Sequence, residues 1–203
     1  MLIAVEDVDV TFGDRRVLQG FSATFPENQI TAVTGPSGSG KSTLLGVIAG
    51  AIQPQHGRIL FEGRPTTRSG RRARTVWVPQ GSNSLPGRTV VDNAALAVLS
   101  RGLPIAKARS RARELLALVG LVDLAQERAA TLSGGELQRL AFARALGSER
   151  PIVLADEPSA NLDLEQTTIL GDILTSLRGQ ATIVIASHDP MLTRVGQSEL
   201  ALR

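Results

Sequence analysis

The chain contains no cysteine. Disulfides, thiolate nucleophiles and cysteine-ligated zinc are therefore excluded. Lysine is nearly as scarce. Lys41 and Lys107 are the only two lysines, and arginine supplies the rest of the 22 basic residues. A lysine kept at position 41 against that bias points to a specific use for a compact ammonium. Apolar runs are short as well. Stretches such as Leu44–Ile52 fall well below the ~20 residues that a membrane span needs. The start, Met1 to Asp7, turns acidic without a basic segment, so no secretory leader is expected. The net charge of +3 is too small to argue for a nucleic-acid partner. With 203 residues, 42% hydrophobic and 20% charged, the chain suits one globular domain with a sizeable core. The expected location is the cytosol.

What is present centres on Gly35–Thr43, which reads Gly35, Pro36, Ser37, Gly38, Ser39, Gly40, Lys41, Ser42, Thr43. This fits the phosphate-loop pattern G-x-x-x-x-G-K-[ST]. Its flanks fit too. Ile30–Thr34 is a β-branched run that predicts a buried strand, and Lys41–Gly50 turns helical and ends on glycine. Strand, glycine loop and helix start together aim several backbone N–H groups at one spot. Lys41 adds a positive charge for the β- and γ-phosphates, and Ser42 offers a hydroxyl to Mg2+.

Before the loop, Leu2–Phe12, Arg15–Leu18 and Gly20–Phe25 predict an antiparallel sheet with turns at Gly13-Asp14 and Gln19-Gly20. Phe12 has two readings, a base-stacking face or a hairpin core residue. After the first helix come a strand over Arg58–Phe61 and a loop over Gly63–Gly70. Arg64, Arg68, Arg71, Arg72 and Arg74 crowd this region without interleaved aromatics, which favours a solvated loop over a nucleic-acid patch. A strand over Thr75–Pro79, with Trp77 in the core, delivers Gln80 to a strand end, where open α/β sheets bind ligands. The loop Gly81–Arg88 follows, then helices over Thr89–Ser100 and Pro104–Val119. The second carries an apolar stripe from Ile105 to Val119, with its arginines on a solvated face.

Ser133 and Glu136 form an S-x-x-E capping box that opens a helix to about Gly147. A cap alone does not need Gly134 and Gly135, which are poor first-turn residues. They make sense where backbone must touch an anion at a helix start. Both readings hold together. Pro151–Ala155 predicts a buried strand that ends in Asp156-Glu157. One carboxylate there suits a Mg2+ shell and the other suits a base for an attacking water. Asp163 and Gln166 predict a second capping box, opening a helix through Leu177. Ala181–Ala186 is another buried strand. It ends at Ser187-His188, with Asp189 as N-cap and Pro190 at N1 of a short helix. His188 is thus one more polar group at a strand end and a candidate γ-phosphate contact.

With Gly35–Thr43, Gln80, Leu132–Glu136, Ile152–Glu157, Asn161–Asp163 and His188 in this order, the chain resembles an ABC-type ATPase cassette over nearly its whole length. The resemblance implies a single ABC-type ATPase domain of the α/β class. A RecA-like P-loop NTPase core with an antiparallel β subdomain would span residues 1–80 and 148–203, and an inserted α-helical signature subdomain residues 81–147. It implies ATP and Mg2+ as cofactors. Phe12 would stack on adenine, and Gly35–Thr43 would hold phosphates. Ser42, Gln80 and Asp156 would serve the metal. Glu157 would be the catalytic base, His188 a γ-phosphate contact, and Gln80 a sensor of the attacking water. Ser133 and Gly135 would reach the ATP of a facing copy, so that a head-to-tail dimer sandwiches two ATP. Finer features, Asn83-Ser84-Leu85-Pro86 before Thr89–Asn93 and the Ala155–Asp163 run, resemble the lipoprotein-releasing and macrolide-exporter branch. The implied role is an energy-coupling subunit, without nucleic acid, bound to membrane-spanning permease subunits on the inner face of the cell membrane. The alternative is a soluble ABC ATPase acting on DNA or ribosomes. The long coiled coil or second cassette of those types is not seen, and an inactive binding module is disfavoured by Lys41, Asp156, Glu157 and His188. The chain ends soon after His188, so truncated closing strands and no regulatory domain are expected.

Overall fold

The computed structural model describes residues 1–81 and 83–202, so Ser82 of the predicted loop Gly81–Arg88 lies outside the described residues. The chain divides into two compact units.

The first unit comprises Met1–Trp77, Arg150–Glu157 and Leu174–Arg203. It holds two sheets. Strand β1 (Ile3–Phe12) pairs antiparallel with β2 (Arg15–Phe25) on one side and β4 (His56–Phe61) on the other. The two-residue strand β5 (Arg64–Pro65) completes the order β2-β1-β4-β5. The second sheet has the order β6-β7-β8-β3-β9, from β6 (Thr75–Val78), β7 (Ile152–Asp156), β8 (Thr182–Ala186), β3 (Ile30–Thr34) and β9 (Ser198–Ala201). The β7–β8, β8–β3 and β3–β9 pairs are parallel. Strands β7 and β8 are buried at every residue, as expected where a parallel sheet is covered on both faces. Helix α1 (Lys41–Ile48) packs on β7 and β8, and α7 (Pro190–Val195) on β3. The cluster that α1 shares with the sheets includes Val33, Leu44, Ile48, Leu154 and Val184, and Trp77, half-buried, packs against it.

Two expectations for this unit change. The predicted Gln19-Gly20 turn is instead a bulge inside the continuous strand β2. Gly20 has φ +51° and donates its N–H to Asp9 Oδ1 at 2.7 Å, so the register slips without ending the strand. The predicted solvated loop Gly63–Gly70 contains β5 and the start of helix α2 (Arg68–Arg74), which Thr67 caps. Its arginines satisfy backbone beyond the end of α1. Arg68 Nε and Arg72 Nε donate to the Gly50 carbonyl at 2.9 and 3.1 Å, and Arg71 is buried on Thr66 O and Gln53 Oε1.

The second unit comprises Val78–Glu149 and Pro158–Ile173. Helices α3 (Val90–Leu99), α4 (Ile105–Leu118) and α5 (Gly134–Gly147) pack on one another. Ala94, Val98, Ala108, Ala112, Leu115, Leu116 and Leu140 fill the space between them. Gly147 permits the close crossing, because a Cβ there would meet Leu115 and Val98. Ile105 departs from the predicted stripe and is 67% exposed, since it starts the helix beyond the reach of its neighbours. The arginines of α4 are exposed but not all solvated singly, because Arg109 pairs with Asp92 and Arg111 with Glu114. The buried amide of Asn93 bonds both the N–H and the carbonyl of Leu85, at 2.7 and 3.0 Å. Arg144 Nη1 donates to Asn83 O at 2.6 Å. Asn83 and Leu85 are held in this way. Helix α6 (Leu164–Ser176) begins in this unit.

Candidate functional site

Strand β3 ends at Thr34, and the glycine loop turns the chain into α1. Gly35 has φ +146°, and a Cβ on it would lie 2.5 Å from the Leu202 carbonyl oxygen. Only glycine fits so close an approach to backbone. Gly40, also left-handed, is the N-cap of α1, and no side chain caps that helix. The first-turn N–H groups of α1 thus border the loop, which suits an anion.

Lys41 is 7% exposed. Its Nζ donates to Gly35 O at 2.9 Å and Pro36 O at 3.3 Å, and lies 3.4 Å from Glu157 Oε1. The ammonium is therefore held over the loop on one side and against a carboxylate on the other. Ser42 Oγ donates to Asp156 Oδ1 at 2.9 Å. Burial pushes the Asp156 carboxyl up, and the Glu157 charge adds to this, while the Ser42 hydrogen bond and the Lys41 charge oppose it. Glu157 follows β7 in a left-handed conformation, φ +44°, unusual for a residue with a Cβ. Its N–H is bound to Ala186 O at 2.8 Å, which fixes that conformation against β8. A strained residue held by its surroundings is a common mark of a working site. Glu157 Oε2 meets His188 Nδ1 at 2.9 Å, and the imidazole is otherwise 76% exposed. The C-terminal ends of the parallel strands β3, β7 and β8 thus bring together Lys41, Ser42, Asp156, Glu157 and His188.

Phe12 ends β1 and is 53% exposed, so the hairpin-core reading falls and a free aromatic face remains. Gln80 lies just past β6, exposed, in the second unit. Ser133 to Glu136 lie in the second unit too. Both halves of the capping box are formed. Glu136 N–H donates to Ser133 Oγ at 3.3 Å, and Ser133 N–H donates to Glu136 Oε2 at 2.8 Å. Ser133 and Gly134 face solvent at this helix start, whereas Gly135 is buried against the Gln166 side chain. Packing therefore supplies a reason for Gly135 beside the anion reading. Of the second predicted box, only the Asp163 half forms, with Gln166 N–H on Asp163 Oδ1 at 2.8 Å, while Gln166 Oε1 is buried without a partner.

Sequence reasoning missed Arg15, whose Nη2 donates to the Gly38 carbonyl at 3.0 Å. The signal that reveals it is the two-residue Gly13-Asp14 turn, which sets Arg15 opposite Phe12.

Comparison with known proteins agrees with this geometry. The family model described as ABC transporter matches residues 18–160. The lipoprotein-releasing system ATP-binding protein LolD of Bacteroides thetaiotaomicron is 34% identical over 203 residues, covering 96% of this chain and 93% of its own. The macrolide export ATP-binding/permease protein MacB of Marinobacter nauticus is 33% identical over 213 residues, covering 99% of this chain but 33% of its own. A solved ATP-binding cassette, dimeric and bound to ADP and Pi after hydrolysis, superposes with a TM-score of 0.87 at 27% identity, covering 99% of this chain and 94% of that one. Among the described residues, no helix is long and apolar enough to cross a membrane. The chain belongs to the ABC transporter family, as an ATP-binding, ATP-hydrolysing cassette of the lipoprotein-releasing and macrolide-exporter type.

Proposed function

We propose that Lys41, Ser42, Asp156, Glu157 and His188 form one half of a Mg2+-ATP hydrolysis site, and that a second copy of the chain completes it. The observation that carries this reading is the gathering of those five side chains around the glycine loop at the ends of β3, β7 and β8. Ser42 and Asp156 put a hydroxyl and a carboxylate oxygen side by side, a donor pair that fits Mg2+. Among the described residues no group of three or more acids or histidines is placed to hold a metal ion by itself. Water and phosphate oxygens would fill the remaining positions, as Mg2+ prefers. Bound there, the ion neutralises charge on the phosphates.

The chain's own groups then divide the work. The loop N–H groups and the Lys41 ammonium bind and orient the phosphates. Phe12 stacks on the base. Glu157 accepts a proton from the attacking water, and His188, on the far oxygen of the same carboxylate, orients Glu157 and contacts the γ-phosphate. Gln80 would serve the water and the metal, as the family resemblance implies. Ser133, Gly134, Gly135 and Glu136 offer a capped helix start to the phosphates of the facing copy, giving a head-to-tail dimer. That dimer drives membrane-spanning permease subunits, which hold the cassette on the cytoplasmic face of the membrane.

Glu157→Gln tests the reading. The variant is expected to bind ATP while turnover falls about 10²–10⁴-fold, the usual contribution of a positioned base. Near-normal hydrolysis would remove Glu157 from that role.

A further inference from the structure

Phe12 and Arg15 are register partners that close the β1–β2 hairpin. From there Arg15 reaches the phosphate loop and donates Nη2 to the Gly38 carbonyl at 3.0 Å. The other polar end of the same peptide group is also held, since Ser39 N–H donates to Pro36 O at 3.2 Å. Lys41 Nζ reaches that same Pro36 oxygen at 3.3 Å. The Gly38–Ser39 peptide therefore turns its N–H toward the side of the Lys41 ammonium and its carbonyl toward Arg15.

The orientation matters because C=O and N–H of a trans peptide point in opposite directions. A flip would swing the Gly38 carbonyl to the ammonium side, where its negative end would face bound phosphates. Gly38 itself resists a flip poorly. A flip turns ψ of Gly38, which a glycine permits, and carries φ of Ser39, not positive in this structure, toward the left-handed region that a Cβ disfavours. The two hydrogen bonds add to that resistance. The one from Arg15 is charge-assisted, so it is the stronger of the pair.

We propose that Arg15 is a positioning residue that locks the Gly38–Ser39 peptide in the phosphate-accepting orientation. Phosphate affinity then depends on the hairpin that also carries Phe12. The inference rests on the nucleotide-site reading above and adds to it a residue that does not need to touch the reacting atoms.

Tripolyphosphate, which has phosphates but no base, is the discriminating probe. Its affinity and that of ATP are measured by displacement of a fluorescent nucleotide from the full chain, with Mg2+, for wild type, Arg15→Ala, Arg15→Lys, Phe12→Ala and Lys41→Ala. Arg15→Ala is expected to weaken both ligands alike, by about tenfold for one charge-assisted hydrogen bond. Arg15→Lys, which can still donate to the carbonyl, recovers most of this. Phe12→Ala weakens ATP and leaves tripolyphosphate unchanged. Hydrogen exchange at the Ser39 amide, followed without ligand, is expected to quicken in Arg15→Ala, which a merely attractive surface charge would not cause. Wild-type tripolyphosphate affinity in Arg15→Ala, or weakened affinity with an unchanged Ser39 amide, overturns the lock. Should thermal melting show that Arg15→Ala is unfolded, Arg15→Met keeps the stem and is judged by the same outcomes. Lys41→Ala separates the two layers. If it leaves tripolyphosphate affinity intact, the nucleotide-site reading itself fails, whatever Arg15 does.

Discussion

Lys41 illustrates how much one side chain is asked to do. It is nearly buried, yet its three donors meet two loop carbonyls and a single carboxylate oxygen, all within 3.4 Å. An ammonium suits that triangle because its donors are compact and rotate freely. A guanidinium is planar, longer and fixed in its fork. Lys41→Ala is therefore expected to weaken ATP binding or abolish turnover, with a loss of about 1.5–3 kcal/mol for hydrogen bonds made by a charged group. Lys41→Arg is not expected to restore it. Equilibrium nucleotide binding and steady-state hydrolysis of the two variants decide the matter, and full activity in Lys41→Arg would mean that charge alone suffices. The position of Lys41 was legible in the sequence because its motif is contiguous and its flanks agree. Arg15 was not legible as a loop contact, because its partner is a backbone carbonyl, and backbone carbonyls leave no trace in composition or spacing. Gly35 was legible from the motif, but the Leu202 carbonyl at the other end of the chain, which also requires its missing Cβ, was not.

At the scale of elements, legibility followed burial. Strands β3, β7 and β8 are buried on both faces, so they read as unbroken apolar runs, and their expected limits agree with the structure within a residue or two. The Ser133–Glu136 box was legible because capping chemistry is local. Helix α2 was missed because it has no apolar period to detect. Its arginines stay on it for what they reach, the carbonyls of Gly50 and Ala51 after α1. Local rules also mislead where two elements meet, as Gly135 shows. In an isolated helix Gly→Ala gains about 1 kcal/mol. Here a Cβ on Gly135 would come within 2.8 Å of Gln166 Cγ and Cδ, and Cγ lies too near the backbone to swing clear easily. Gly135→Ala is expected to destabilise the chain by about 1–3 kcal/mol, the usual cost of overpacking. Adding Gln166→Ala removes the obstruction, and the pair should then be far from additive. Urea unfolding of the two single variants and the double variant gives the coupling directly. Additive losses would mean that Gly135 is kept for contact with an anion and not for packing.

For the whole molecule, the decisive question is whether one chain suffices. The loop Gly35–Thr43 belongs to one compact unit and the Ser133–Glu136 cap to the other, and each presents a helix start suited to phosphate. The proposal is that the two meet across a dimer and not within a chain. The absence of cysteine makes this testable without background thiols. The Ser39 hydroxyl is buried, so the exposed Ser37 is the better anchor on the loop, and the exposed Ser133 serves on the cap. Ser37→Cys and Ser133→Cys are placed in separate, differently tagged preparations, each carrying Glu157→Gln to prevent turnover, and mixed with ATP and Mg2+. A short thiol-to-thiol linker is then added. A direct disulfide would demand Cα atoms within about 7 Å, which an intervening triphosphate opposes. A mixed-tag dimer that needs ATP is expected, well above the level given when Arg68→Cys replaces Ser133→Cys. Were the site complete within one chain, the mixed dimer would stay at that background. A single chain carrying both Ser37→Cys and Ser133→Cys would then link internally at any dilution, and the two-copy site would have to be given up.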